Sequence, residues 1–214
     1  MSQVAISGNA SGTGTLTIAA PNTNSNYTLT LPQATTTLVG TDATQTLTNK
    51  TIQGGAITSG TAVASTSGTS IDFTGIPSWA KRVTVMFNGV SLSATANILF
   101  QLGVGSTPTT TGYQSGQVYV LIGGGGTNGS SSTSGFIVQS GAAAYTLNGS
   151  MVFTQLNSSS YIWTGAGVFY NQTSVPLITS ASGVVTLSGS VGMVRVTSTS
   201  TDTFDAGSIN ILYE

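Results

Sequence analysis

The stretch Lys81-Arg82-Val83-Thr84-Val85-Met86-Phe87-Asn88-Gly89-Val90 decides the fold. Side chains alternate across an extended chain, so Val83, Val85 and Phe87 share one face while Arg82, Thr84, Met86 and Asn88 take the other. That pattern is the mark of a half-buried antiparallel strand. Outward from it, Ile71 and Phe73 alternate on one side and Ile98, Phe100 and Leu102 on the other. Val118-Tyr119-Val120-Leu121-Ile122 is apolar on both faces, which predicts a central strand or a subunit contact. Leu147, Met151 and Phe153 align with a glycine between them, and Tyr161, Trp163 and Phe169-Tyr170 follow. Trp163, with Tyr161 on the same strand face, reads as core or as an intersubunit contact. Val191, Met193 and Arg195, then Ile209, Ile211 and Tyr213, complete the strands, the last of which predicts a terminus pinned in a sheet. No segment sustains a capped 3.6-residue apolar period, so little helix is expected. Short strands joined by Gly- and Ser-rich turns predict an all-β protein, with an antiparallel, jelly-roll-like β-sandwich over residues 61–214.

Residues 1–60 are thinner. Leu16 and Ile18, then Tyr27, Leu29 and Leu31, form short alternating runs broken by Pro21-Asn22-Thr23-Asn24-Ser25-Asn26 and ended by Pro32. Leu47 and Ile52 are five residues apart, so a single straight strand sends them to opposite faces. Each run offers two or three apolar side chains, and an isolated hairpin of that kind is marginal in water. The expectation is a short extended N-terminal β-region that buries Leu16, Ile18, Leu29, Leu31, Leu47 and Ile52 against identical segments of other copies; a flexible tether is the alternative.

Only 4% of the 214 residues are charged, 39% are hydrophobic and the net charge is −1. Disordered chains usually combine low hydrophobicity with high net charge, so an ordered β-protein is the better reading. Four Lys and Arg residues in total cannot neutralise a phosphate backbone, and no nucleic-acid partner is expected. No apolar run approaches the roughly 20 residues of a membrane-spanning helix, and the N-terminus lacks the pattern of an export signal. With no Cys, disulfides and zinc-thiolate sites are excluded.

The sequence contains no His, which removes the commonest general base, the Ser-His-acid triad and the commonest metal ligand. Of the carboxylates Asp42, Asp72, Asp202, Asp205 and Glu214, only Asp202 and Asp205 are neighbours, and their spacing before the last strand suits turn formation better than a glycosidase pair. No catalytic activity, cofactor or metal is expected. The run Gly123-Gly124-Gly125-Gly126-Thr127-Asn128-Gly129-Ser130-Ser131-Ser132-Thr133-Ser134-Gly135 reads as a surface loop, and it lacks the Lys and following helix of a phosphate-binding fingerprint. Trp79, beside Lys81 and Arg82, presents either a rim aromatic or a flat face suited to a sugar or a protein. Tyr113, after Thr109-Thr110-Thr111-Gly112, is the better exposed aromatic candidate.

Thr46-Leu47-Thr48-Asn49-Lys50-Thr51-Ile52 resembles the TLTNKT element that recurs in tail-fibre and related adhesion proteins of tailed bacteriophages. Gly14-Thr15-Leu16-Thr17-Ile18-Ala19-Ala20-Pro21, Tyr27-Thr28-Leu29-Thr30-Leu31-Pro32 and Thr37-Leu38-Val39-Gly40 are similar to repeats that precede that element. Ile71-Asp72-Phe73-Thr74-Gly75-Ile76-Pro77 leading into the Lys81–Val90 stretch, and Phe204-Asp205-Ala206-Gly207-Ser208-Ile209-Asn210-Ile211-Leu212-Tyr213-Glu214, resemble a domain at the ends of such fibres. The resemblance implies a virion structural protein made in the host cytoplasm: a homotrimeric tail fibre, or its distal part, that joins other virion proteins through its N-terminal region. It also implies adhesion to a surface polysaccharide or outer-membrane protein of the host, with Trp79, Tyr113, Thr127 and Asn128 as candidate receptor contacts. A capsid-surface fibre, decoration protein or baseplate-associated protein without a receptor role shares the same features.

Overall fold

The structure, a computed structural model, describes residues 11–14, 22–26, 57–143, 145–157 and 159–214. The chain divides into two compact units, Met1–Lys50 and Thr51–Glu214. In the first, Ser25 donates its backbone N–H to Thr23 Oγ1 at 3.1 Å, a short polar turn of the kind Ser and Thr favour. The contacts expected of Leu16, Ile18, Leu29, Leu31, Leu47 and Ile52 lie outside the described residues.

In the second unit the described residues form strands and no helix. The strands are β1 Thr58–Ser59, β2 Val63–Ala64, β3 Ser70–Thr74, β4 Arg82–Leu92, β5 Ile98–Val104, β6 Thr107–Pro108 and β7 Gln114–Leu121. They continue with β8 Thr127–Ser132, β9 Phe136–Val138, β10 Thr146–Asn157, β11 Ile162–Gln172, β12 Leu177–Thr186, β13 Val191–Ser198 and β14 Phe204–Tyr213. Two antiparallel sheets make a β-sandwich. The larger has the order β1-β14-β4-β10-β11-β12-β7-β8, with β2 also on β14, and the smaller has β3-β13-β5-β6, with β9 also on β5. Because Thr58 and Ser59 pair with Tyr213 and Leu212, the sheet begins ahead of residue 61.

Alternation decides what lies between the sheets. Val83, Val85 and Phe87 point inward with Phe153, Phe169 and Ile211 of the larger sheet, against Phe73, Phe100, Val194 and Val196 of the smaller. Phe100 ties the layers together: its ring lies 5.3 Å from Phe87, 5.9 Å from Phe153 and 6.0 Å from Phe169, distances at which aromatic pairs attract beyond simple burial. Trp163 is fully buried, as a core aromatic should be. Tyr161 does not share its strand face, because it precedes β11 in a left-handed conformation at φ 51°. Strand β5 is buried on both faces rather than one, since Gln101 Nε2 donates to the Ser134 carbonyl at 2.8 Å and the 134–135 segment lies over Leu99 and Gln101.

One close approach shapes the β4–β14 pair. Gly207 sits at φ +91° against Gly89 at φ +64°, where the register shifts on either side of Ala206, and a Cβ on Gly207 would run into the Gly89 carbonyl. Two glycines facing each other thus permit a bulge that keeps Ile209 and Ile211 inward below it and Phe204 inward above it.

Two sequence expectations are corrected here. The 123–135 run is not one loop: Thr127–Ser132 is a strand paired to β7 with Val120 opposite Thr127, and the turn contracts to residues 122–126, with Gly123, Gly124, Gly125 and Gly126 all at positive φ. Consecutive left-handed positions need glycine, which leaves the Ser and Thr that follow free to extend. Strand β7 is not covered on both faces within one copy, which removes the central strand of the two alternatives and leaves the subunit contact. It lies next to the edge strand β8, and Val118, Val120 and Ile122 remain exposed.

Candidate functional site

The strand register sorts the candidate residues onto two ends and one face of the sandwich. At one end the pairs Thr58–Tyr213, Val83–Tyr213 and Arg82–Thr154 bring together Ile57, the start of β4, the C-terminus and the β10–β11 turn. The pairs Phe204–Leu92, Leu177–Leu121 and Val120–Thr127 fix the other end, where the loops 93–97, 122–126, 173–176 and 199–203 emerge. About ten residues of extended strand separate the two ends, roughly 30 Å.

Trp79 lies at the first end, in a turn closed by a 2.9 Å hydrogen bond from Ala80 N–H to the Pro77 carbonyl. It is 55% exposed, and its indole meets the Tyr213 ring at 5.8 Å and 54°. Lys81 and Arg82 both donate backbone N–H groups to the Glu214 carbonyl, at 2.7 and 2.9 Å, which pins the last strand. The Arg82 guanidinium pairs with the Glu214 carboxylate, and Lys81 Nζ donates to Gln155 Oε1 at 3.0 Å. Beside them a hollow of about 80 Å³ is lined by Ile57, Arg82, Thr84, Leu212, Tyr213 and Glu214. An exposed indole next to a paired carboxylate and guanidinium offers stacking and hydrogen bonding to a small polar group such as a sugar hydroxyl.

Thr127 and Asn128 lie at the opposite end, exposed at the start of β8, with Asn128 Oδ1 accepting the Gly129 N–H at 2.7 Å. They therefore share no site with Trp79. Tyr113 is not an exposed contact: it is 1% exposed, its ring packs edge-on against Phe136 at 5.2 Å, and its Oη accepts the Leu102 N–H at 2.9 Å. That hydroxyl fills the break in the β5 ladder between Phe100, paired to β9, and Gly103, paired to β6. Burial drives the phenol well above its ordinary pKa of about 10, opposed by the backbone hydrogen bond to Leu102.

Asp202 lies in the loop before β14 and Asp205 within β14, and each accepts a hydrogen bond from a residue far along the chain instead of closing a local turn. Asp202 Oδ2 accepts the Ala96 N–H at 2.9 Å, and Asp205 Oδ1 accepts from Ser91 Oγ. Asp72 makes a bidentate pair with Arg195, with both N···O distances 2.7 Å, and that carboxylate holds the guanidinium above its ordinary pKa. Among the described residues no cluster of three or more His, Cys, Asp or Glu is arranged to hold a metal ion.

The outer face of the larger sheet is the feature that sequence reasoning only half identified. Val120 pairs with Ile178 and Ile178 with Tyr170, while Ser180 stands between Val118 and Val168. These apolar side chains are 40–57% exposed and stand in adjacent rows. Strands β7, β8, β10, β11 and β12 contain no Asp, Glu, Lys or Arg. The signal was the two-faced Val118–Ile122 run; nothing local revealed that Val168 and Ile178 would stand beside it.

No family model, curated protein or solved structure matches this chain. The class that fold and surface define is an all-β sandwich with two separate loop ends and an uncharged apolar sheet face.

Proposed function

We propose that this chain is a non-catalytic adhesion protein of a bacteriophage virion, a homotrimeric tail fibre or the distal part of one, with residues 57–214 as its head. The sequence resemblance supplies the virion and the trimer. The observation that carries the head assignment is the polarity of the sandwich: the chain enters at Ile57, and the turn at residues 122–126, with Thr127 and Asn128 beside it, lies at the opposite end. A head held by its N-terminal side presents that far end to a host polysaccharide or outer-membrane protein. Three weak contacts on one fibre then act together through avidity. Trp79 belongs to the near end, where its exposed indole lies against Tyr213, and is not a tip contact.

Electron microscopy of particles decorated with an antibody to this chain tests the assignment. Label at the tips of tail fibres is expected. Label on the capsid surface or at the baseplate, without inhibition of adsorption, overturns it in favour of a decoration or baseplate role.

A further inference from the structure

We propose that the outer face of the larger sheet, centred on Val118, Val120, Val168, Tyr170 and Ile178, is the surface through which copies of the head pack on one another. This deepens the self-association in the reading above by giving it a place on the sandwich. The register sets these side chains in neighbouring rows, Val120 beside Ile178 beside Tyr170, and Val118 and Val168 on either side of Ser180. Together they expose on the order of 450 Å² of surface, the size of the largest patch on a typical monomer, which is often a functional one. With the Ser and Thr between them, a patch five strands wide and about eight residues long projects roughly 600 Å². The relief of its side chains brings that close to the roughly 800 Å² per partner of a standard stable interface.

Charge selects the occupant. The described charged residues are placed elsewhere: Asp72 and Arg195 on the smaller sheet, Lys81, Arg82 and Glu214 at one end, Asp202 and Asp205 at the other. Where such a face packs on its copies about a symmetry axis, the residues close to the axis lie near their own twins, and a single charge there opposes itself. A surface of five strands without one charged side chain satisfies that condition, while it offers a charged partner nothing to pair with.

The absence of Cys makes the test direct, because a single introduced thiol reports its own accessibility in the full chain. Ser180→Cys places the probe at the centre of the face, and Thr74→Cys places a control on the exposed end of β3 in the other sheet. Light scattering is expected to give a mass that is a multiple of 21.5 kDa. Maleimide labelling of the Ser180→Cys variant is expected to be at least tenfold slower than that of the Thr74→Cys variant. Adding Val120→Asp to Ser180→Cys is expected to restore fast labelling while the β-sheet circular dichroism is retained. A monomeric mass at micromolar concentration overturns the proposal, as does a multimer in which both thiols label at the same rate. A monomeric mass would also remove the homotrimer of the reading above, whereas a multimer in which both thiols label at the same rate overturns only this placement, and neither result bears on where an antibody decorates the virion.

Discussion

Replacing Tyr113 by Phe removes one oxygen and tests how the sandwich closes its smaller sheet. The Oη accepts the Leu102 N–H at 2.9 Å in a fully buried site, so a phenyl ring at that position leaves the N–H without its acceptor. An orphaned buried donor costs about 1–3 kcal/mol, and about 2 kcal/mol is expected here because the ring and its edge contact with Phe136 stay in place. For a domain of this size the midpoint of thermal unfolding falls by about 4–8 °C. The hydroxyl also titrates. The folded chain holds the phenolic proton to higher pH than the unfolded chain, so the contribution of Tyr113 is complete below pH about 10 and is lost as pH rises toward the folded value. Above pH about 10 the gap between the wild type and Tyr113→Phe should close by about 1.4 kcal/mol per pH unit, passing through zero at about pH 11.5 and reversing sign above it. The other tyrosines are common to both proteins and cancel in the difference. Urea unfolding followed by Trp fluorescence at pH 8, 10, 11 and 12 measures it. A variant within about 0.5 kcal/mol of the wild type at pH 8, with a parallel alkaline decline, would refute the placement of the hydroxyl in the ladder.

Three further outcomes follow from the packing. Phe100→Ala removes the ring that bridges Phe87, Phe153 and Phe169 and should destabilise by about 4 kcal/mol, seen as a fall of more than about 8 °C in melting temperature; a smaller loss would mean the sheets do not meet at this ring. Gly207→Ala forces a Cβ against the Gly89 carbonyl at a positive φ and should cost about 3 kcal/mol in chemical denaturation, whereas a neutral result would contradict the bulge. Thr179→Val should stabilise by about 1 kcal/mol in the same assay, because the fully buried Thr179 hydroxyl has no hydrogen-bond partner among the described residues and Val keeps its shape.

Period-two alternation located the strands because it is a local property. Val83, Val85 and Phe87, or Ile209 and Ile211, declare an inner face without reference to anything distant. The misplaced residues are those whose setting is made by partners far along the chain. Tyr113 follows Thr109-Thr110-Thr111-Gly112 and reads as loop, yet its ring enters the core because β5 leaves a break at Leu102 that only a side chain can close. Thr127–Ser132 reads as coil from composition, yet it forms an edge strand because the tight glycine turn returns the chain alongside Val118 and Val120. The first error overestimates exposure from polar neighbours; the second misses pairing in a segment that stays exposed, because the ladder takes its hydrogen bonds from Ser, Thr and Gly backbones as readily as from Val.

The scarcity of charge then has a consequence for the surface as a whole. With few ionic groups present, the fold uses its described carboxylates structurally: Asp202 fastens the 93–97 loop, Asp205 ties β14 to Ser91 of β4, Glu214 fastens the C-terminal strand to Arg82, and Asp72 crosses β3 to β13. Among the described residues none remains to break up an exposed hydrophobic sheet, which is the usual protection against edge and face association. Proteins that must stay single place Lys or Glu on such a face. Here Val118, Val120, Val168 and Ile178 stand there without one, with Ser and Thr as the only polar relief between them. A lone copy would keep that surface wet at a continuing cost in free energy, whereas packing against sister copies turns the same residues into a source of stability.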